Sequence, residues 1–191
     1  MPTAPVPLCS EPGRATAGQG SWRRAVPTIV RLAGMPGRAP AGRGPPPFPW
    51  SRVVLEDAKT VFNLVPCDNN FERDFAKFLH DANDVTRFAK LPRPFGFAID
   101  YTDCSMNLRS YYPDFVAVDK KGTRWLLETK GAETGEVAHK DVAATQWCAN
   151  ATQLTGTKWE YLKVPQKDFE TLQPSRLEHL IALKPAVLFQ P

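Results

Sequence analysis

The chain has 191 residues, of which 42% are hydrophobic and 23% are charged, and its formal net charge is +4. This length and apolar fraction suffice for one domain with its own core, and no internal repeat indicates an array. The longest apolar run of the first 50 residues, from Val26 to Leu32, is interrupted by Pro27 and Arg31. We therefore predict neither a membrane-spanning segment nor a secretory signal.

The first 50 residues differ in composition from the rest of the chain. They contain 11 of the 19 prolines, 7 of the 12 glycines and six arginines, with Glu11 as their single acidic residue, which leaves 18 basic and 19 acidic residues for positions 51–191. Proline removes backbone donors and glycine raises the entropic cost of ordering, so we expect residues 1–50 to be disordered or irregular and residues 51–191 to form one domain. A basic DNA anchor, an organellar transit peptide and a start out of register with a longer gene are alternatives for residues 1–50 that the sequence leaves open.

The remaining sequence predicts an α/β unit with a mixed sheet flanked by helices. In chain order, we expect a helix capped by Asn69 or Asn70 and ending near His80, a strand from Phe95 to Tyr101, strands at Tyr112–Val118 and Arg124–Lys130, a helix from His139 to about Thr152, a strand from Lys158 to Val164, and short helices around Phe169 and Leu180. The apolar spacing of the first of these helices and the tryptophans of the later elements match burial, so we interpret these aromatic residues as core rather than as platforms for base stacking.

The two central strands form a predicted hairpin, with Gly122 in its turn. Antiparallel pairing around a loop centred near Lys121 places residues opposite each other when their numbers sum to about 242, so we expect Asp114 to face Glu128. Side chains two apart on a strand share a face, so Lys130 points the same way as Glu128. Two opposed carboxylates are unfavourable unless a cation lies between them.

This constellation predicts a metal-dependent phosphodiester hydrolase. Asp114, Glu128 and the backbone carbonyl of Thr129 are hard oxygen ligands, which suit Mg²⁺ or Mn²⁺. Lys130 would position a water acidified by the metal, or stabilise charge that develops on a phosphate oxygen. The alternative is that these residues form solvated ion pairs, each contributing roughly 0 to 1 kcal/mol.

The cysteines and histidines indicate no other chemistry. The cysteines Cys9, Cys67, Cys104 and Cys148 are widely spaced and form no C-x-x-C pair, so we expect neither structural zinc nor a disulfide framework, and reduced thiols typical of the cytoplasm. The three histidines have no convincing serine or cysteine nucleophile beside them in the sequence, which disfavours a hydrolase of the Ser-His-Asp kind.

The ordered motifs resemble a known family. Pro113-Asp114 followed by Glu128-Thr129-Lys130 is similar to the signature of the PD-(D/E)xK nucleases, and longer strings resemble the C-terminal endonuclease domain of the restriction subunit of Type III restriction-modification enzymes. The resemblance covers about Val53 to Leu180 and is carried by VFNLVPCDNNFERDFAKFL, FGFAIDYTD, YYPDFVAV, WLLETKG and KDVAATQWCANATQLTGTKWEYLKV.

The resemblance implies a restriction-endonuclease-like core with a central mixed four-stranded sheet, and it implies roles for individual residues. Asp114 and Glu128 would be metal ligands, Lys130 the catalytic lysine and Glu72 a further ligand, while Lys140 and Gln146 would approach the site or the DNA backbone. A first-turn glutamate that stabilises the helix dipole is the alternative for Glu72, and a solvated helix face is the alternative for the other two.

The same resemblance implies partners. DNA is the implied substrate and Mg²⁺ the implied cofactor, and a methyltransferase subunit and a helicase-like motor would work with the domain in the cytoplasm. The 191 residues contain no G-x-x-x-x-G-K-[ST] loop, so we expect no ATP site in this chain. The alternative function is a truncated remnant that folds and binds DNA or a partner subunit without cutting.

Overall fold

The computed structural model describes residues 49–56, 59–60, 64–131 and 137–183. The segment 1–50, predicted to be irregular, therefore lies outside the described residues except for its last two positions. The eight described strands are β1 Val54–Glu56, β2 Leu64–Pro66, β3 Val85–Lys90, β4 Ile99–Thr102, β5 Leu108–Tyr111, β6 Phe115–Asp119, β7 Arg124–Lys130 and β8 Trp159–Pro165. The described α-helices are α1 Asn70–Asp81, α2 Val137–Thr155, α3 Gln166–Leu172 and α4 Leu177–Ile181.

The centre of the fold is a mixed four-stranded sheet in the order β3-β6-β7-β8. Strand β6 is antiparallel to both of its neighbours, β3 and β7, whereas β7 and β8 are parallel, because helix α2 connects them as a crossover. Two smaller antiparallel pairs, β1 with β2 and β4 with β5, lie beside this sheet. The prediction of a four-stranded mixed sheet flanked by helices is confirmed.

The first strand of the central sheet was predicted at the wrong place. Strand β3 fills that position, whereas the segment Phe95–Tyr101 contributes the end of a 3₁₀ turn and the start of β4 in a separate hairpin. Gly96 has a φ of +76°, which interrupts the extended run. Strand β3 gives a weak signal in the sequence because it carries polar residues and because its register shifts between Val85 and Arg87.

The central hairpin forms with the predicted register. Phe115 pairs with Leu127 and Val118 with Arg124, so paired numbers sum to 242 as expected. Gly122 adopts a φ of +83° in the turn, a conformation that a side chain would strain. Strand β6 begins three residues later than predicted, at Phe115, since Pro113 has no backbone N–H to give to a ladder.

Helix α1 starts where the sequence indicated. Asn69 is its N-cap, and its side-chain Oδ1 accepts a 2.9 Å hydrogen bond from the backbone N–H of Glu72. The Glu72 carboxylate reaches back to the backbone N–H of Asp68 at 2.8 Å, in the manner of a capping box. This reciprocal arrangement fixes the carboxylate of Glu72 at the start of the helix.

Apolar side chains cover both faces of the sheet. On one face Phe75 of α1 packs edge-on against Phe115, with ring centroids 5.4 Å apart. On the other face Trp147 of α2 packs edge-on against Trp159 at 5.2 Å. The core interpretation of the aromatic residues is confirmed. Of the helices in the described part of the chain, none has the length and apolar character needed to span a bilayer.

Candidate active site

The candidate site lies at one edge of the central sheet, where β3 and β7 end and β6 begins. Lys90 is the last residue of β3, Lys130 is the last of β7, and Asp114 directly precedes β6. The backbone N–H of Leu91 donates to the carbonyl oxygen of Asp114 at 2.7 Å, which ties these strand ends together. The antiparallel order of these strands brings residues distant in sequence to one edge.

Asp114 is held by three donors. Its Oδ2 accepts hydrogen bonds from the backbone N–H of Thr129 at 2.8 Å and from the Thr129 hydroxyl at 2.7 Å. Its Oδ1 accepts from the Lys90 ammonium at 2.8 Å. Thr129 alternates with Glu128 along β7, so its hydroxyl belongs to the opposite face of the sheet. The Asp114 carboxylate is therefore turned toward Thr129 and Lys90 at the sheet edge.

Lys90 is a cation buried between two carboxylates. Its Nζ lies 2.8 Å from Glu72 Oε2 and 2.8 Å from Asp114 Oδ1, and the residue is 2% exposed. The Phe115 ring lies beneath it, with its centroid 4.9 Å from Nζ. Burial alone would lower the pKa of Lys90, but Asp114 and Glu72 outweigh it and raise that pKa, so the ammonium keeps its charge.

Glu128 lies on the other face of the sheet, beside Tyr111 and Tyr161. Its Oε2 accepts a 2.9 Å hydrogen bond from the hydroxyl of Tyr111. Burial, followed by the charge on Asp114, raises the pKa of Glu128 from 4.5 to about 8. Burial and the charge of Glu128 raise the pKa of Tyr111 well above its usual value, so this hydroxyl remains a donor. Glu128 thus has a neutral partner where Asp114 has a charged one.

Lys130 completes this side of the site. It follows Glu128 by two residues on β7 and shares its face, as predicted, and its charge acts to lower the pKa of Glu128. On the next strand Lys163 pairs with Glu128 in the ladder register, but its Nζ donates to Asp141 Oδ2 at 2.8 Å. Lys90 and then Lys130 are therefore the lysine charges that act to lower the pKa of Glu128, and burial together with Asp114 outweighs them.

The donor set fits a divalent ion that keeps several waters. Among the described residues, no three Asp, Glu, His or Cys side chains gather into a group that would enclose a metal ion. Mg²⁺ commonly takes one or two carboxylates and retains water, so Asp114 and Glu128 suffice chemically. The N–H and C=O of one strand residue project to the same side, and the Thr129 N–H points to Asp114, so its carbonyl is directed there as well.

The other predicted residues lie farther along the chain. Lys140 is half-buried in the first turn of α2, and Gln146 is exposed on that helix, where its Nε2 donates to Asn150 Oδ1 at 3.1 Å. Their roles stay predictions. Glu72, by contrast, is brought to the site edge through Lys90.

Two features were missed by sequence reasoning. The first is Lys90, because a lysine at the end of a strand reads as exposed and its partners are 18 and 24 residues away along the chain. The second is the pairing of Cys104 with His139, whose Sγ and Nε2 atoms lie 3.0 Å apart. His139, at the start of α2, therefore does have a cysteine beside it in space. That cysteine, Cys104, lies in the loop between β4 and β5. Within the described part of the chain, Cys67, Cys104 and Cys148 are not joined in disulfides.

Comparison with protein families decides the classification. The family model described as an endonuclease domain matches residues 58–167, more than half of the chain. The chain belongs to this endonuclease-domain family. The matched range contains every candidate site residue, and the mixed four-stranded sheet flanked by helices agrees with a restriction-endonuclease-like fold. No curated protein and no solved structure matches the chain significantly. Family membership indicates a nuclease, with a nucleic acid as its substrate.

Proposed function

We propose that this chain is a divalent-metal-dependent deoxyribonuclease that hydrolyses phosphodiester bonds with Asp114, Glu128 and Lys130. The observation that carries the proposal is the meeting of Asp114 with the end of β7, where its carboxylate accepts from Thr129 at 2.8 and 2.7 Å and, together with burial, raises the pKa of the adjacent Glu128 to about 8. An acidic pair that disfavours its own ionisation is stabilised by a cation, and active sites concentrate such groups. The match to an endonuclease domain supplies the reaction class.

Each residue has a defined role in this proposal. Asp114, Glu128 and the carbonyl of Thr129 would hold Mg²⁺ or Mn²⁺, which when bound stabilises charge on the phosphate and lowers the pKa of water. The Lys130 ammonium orients the attacking water and stabilises the negative charge that grows on a non-bridging phosphate oxygen. Water adds to phosphorus, the bond to one ester oxygen breaks, and a phosphate end and a hydroxyl end result.

The interaction with DNA needs local positive charge, because residues 51–191 carry one more acidic than basic residue. We assign Lys140 to a backbone phosphate beside the site, because it lies in the first turn of α2 after the strand that carries Glu128 and Lys130. Gln146 is exposed on the same helix and is proposed as a second, uncharged contact. Phosphate contacts of this kind position the duplex and carry no sequence information.

We further propose that the domain is the cleavage module of a Type III-like restriction system in the cytoplasm. The ordered segments that resemble those enzymes run from Val53 to Leu180 and overlap the family match. A helicase-like motor and a methyltransferase that reads the DNA site would then be the partners, with ATP bound by the motor. One active site cuts one strand, so an isolated copy should nick a duplex.

The test is incubation of the full chain with supercoiled plasmid and Mg²⁺, beside an EDTA control and an Asp114→Asn variant. We expect open circles before linear product, with intact protein and metal both required. Equal nicking by Asp114→Asn would overturn the assignment of the site. If correctly folded protein cuts nothing, even with a methyltransferase partner added, the non-catalytic remnant replaces the enzyme as the better account.

A further inference from the structure

The carboxylate group of Glu72 is engaged by three donors of the protein itself, one of them the Lys90 ammonium. Its Oε2 accepts from the Asp68 N–H and pairs with Lys90, both at 2.8 Å, and its Oε1 accepts from the Asn69 amide at 3.2 Å. The residue is 5% exposed, in the first turn of α1. Two hydrogen bonds from the N-cap region and one ion pair thus direct this carboxylate at Lys90.

Asp114 retains room for one further bond. A carboxylate offers about four lone-pair positions. Thr129 occupies two of them on Oδ2 through its N–H and hydroxyl, and Lys90 occupies one on Oδ1. A carboxylate that bridges two metal ions needs more, because paired ions about 3.5 to 4 Å apart share their ligands. The hydrogen bonding of Asp114 therefore accommodates one ion.

The ammonium group of Lys90 lies where a second ion would have to bind. A Mg²⁺ ion held by both Glu72 and Asp114 would approach their oxygens to about 2.0–2.1 Å, within the space that Nζ occupies at 2.8 Å from each. Mg²⁺ also sheds its waters reluctantly, and a residue 2% exposed with the Phe115 ring beneath it leaves no room for them.

The charge balance agrees with a single ion. Asp114, Glu128 and Glu72 bring three negative charges when ionised, and Lys90 and Lys130 bring two positive charges. One divalent ion raises the total to one positive charge, which a single phosphodiester neutralises. A second divalent ion would leave two positive charges uncompensated in a partly buried site.

We propose that Lys90 is a positioning residue that takes the place of a second metal ion between Glu72 and Asp114, so that the site binds one divalent ion, at Asp114 and Glu128. The inference rests on the proposed metal-dependent function. Glu72 then holds Lys90 and does not ligate the metal.

The test counts the Mn²⁺ ions bound per full chain by electron paramagnetic resonance. Ions that the wild type binds and the Asp114→Asn variant does not are counted as bound at the site. We expect one ion with an uncoupled, mononuclear spectrum. We expect Lys90→Ala to gain a second ion and a spectrum of two coupled ions, and Lys90→Ala/Glu72→Gln to return to one. Lys77→Ala, which removes an exposed ion pair on α1, is the matched control and should keep one ion.

The outcomes separate the two proposals. Two coupled ions in the wild type would overturn the role of Lys90 and leave the metal-dependent nuclease in place. A wild-type chain that binds no more Mn²⁺ than Asp114→Asn would overturn both. A folded Lys90→Ala chain that binds one ion would overturn the role of Lys90. If circular dichroism shows that Lys90→Ala does not fold, the wild-type count and spectrum decide.

Discussion

The two carboxylates of the site are held in opposite ways. Asp114 is surrounded by three donors, one of them the buried Lys90 ammonium, and its charge is compensated by the protein itself. Glu128 has the neutral hydroxyl of Tyr111 as its hydrogen-bond donor, and its pKa rises to about 8. One half of the site is therefore complete in the folded chain, whereas the other half gains most from an added cation. The proposed metal ion would therefore stabilise the Glu128 half of the site most.

The largest expected effect concerns Lys90 and the two carboxylates with which it pairs. Lys90→Met should destabilise the fold by about 3–5 kcal/mol, because it leaves Glu72 and Asp114 buried without their cation. Lys77→Met removes an exposed pair with Asp81 and should cost far less stability, because solvent screens that pair. Urea unfolding of both variants in EDTA measures the difference. Similar losses of unfolding free energy in the two variants would mean that the ion pairs of Lys90 are no better shielded from solvent than a surface pair.

The next effect concerns catalysis on the Glu128 side. Lys130→Met should lower kcat at least about 100-fold, since one donor to a developing negative charge contributes about 2.7–4 kcal/mol in comparable sites. The matched control is Lys121→Met, an exposed lysine in the turn at the far end of the same hairpin. Initial rates of plasmid nicking measure both variants. A Lys130→Met protein as active as the control would remove the lysine from the mechanism.

These effects also show what the sequence could predict. The register of the hairpin followed from Gly122 and alternation, and the helix start followed from Asn69, since both signals are local. The face shared by Glu128 and Lys130 followed from the two-residue period of a strand.

The arrangement of Asp114 could not be predicted from local pattern. The strand was expected to begin at Tyr112, which would have placed Asp114 in the ladder opposite Glu128. Pro113 delays β6 to Phe115, so Asp114 precedes the strand and its carboxylate turns to Thr129. The buried position of Lys90 depends on its long-range ion pair with Glu72 at the capped start of α1. No periodicity in the sequence predicts such a contact.

The raised pKa of Glu128 predicts that the stability of the fold depends on pH. The folded pKa of Glu128, about 8, lies above its ordinary 4.5, so the folded chain holds a proton that the unfolded chain releases. This contribution to stability is full below about pH 4.5 and is lost as the pH rises through 8. Urea unfolding in EDTA across this range should show the decline, and Glu128→Gln should remove it. A wild-type decline that persists in Glu128→Gln would place its origin elsewhere.

The smallest expected effect concerns the hydrogen bond to Glu128. Tyr111→Phe removes a donor that favours the ionised carboxylate, so the affinity for Mn²⁺ should fall by about 1 kcal/mol, or roughly fivefold. The neighbouring Tyr112→Phe alters a half-exposed side chain and serves as the control. Isothermal titration with Mn²⁺ measures both. Equal affinities in the two variants would show that Tyr111 supports packing alone.

The central claim is that Glu128 supplies a metal-binding charge for phosphodiester hydrolysis. The most direct measurement is Mg²⁺-dependent nicking by Glu128→Gln, a near-isosteric change, with the fold checked by circular dichroism. We predict a loss of at least about 100-fold relative to the wild type, because the neutral amide gives up the charge that holds the ion. A folded Glu128→Gln chain that nicks plasmid at the wild-type rate would contradict the claim.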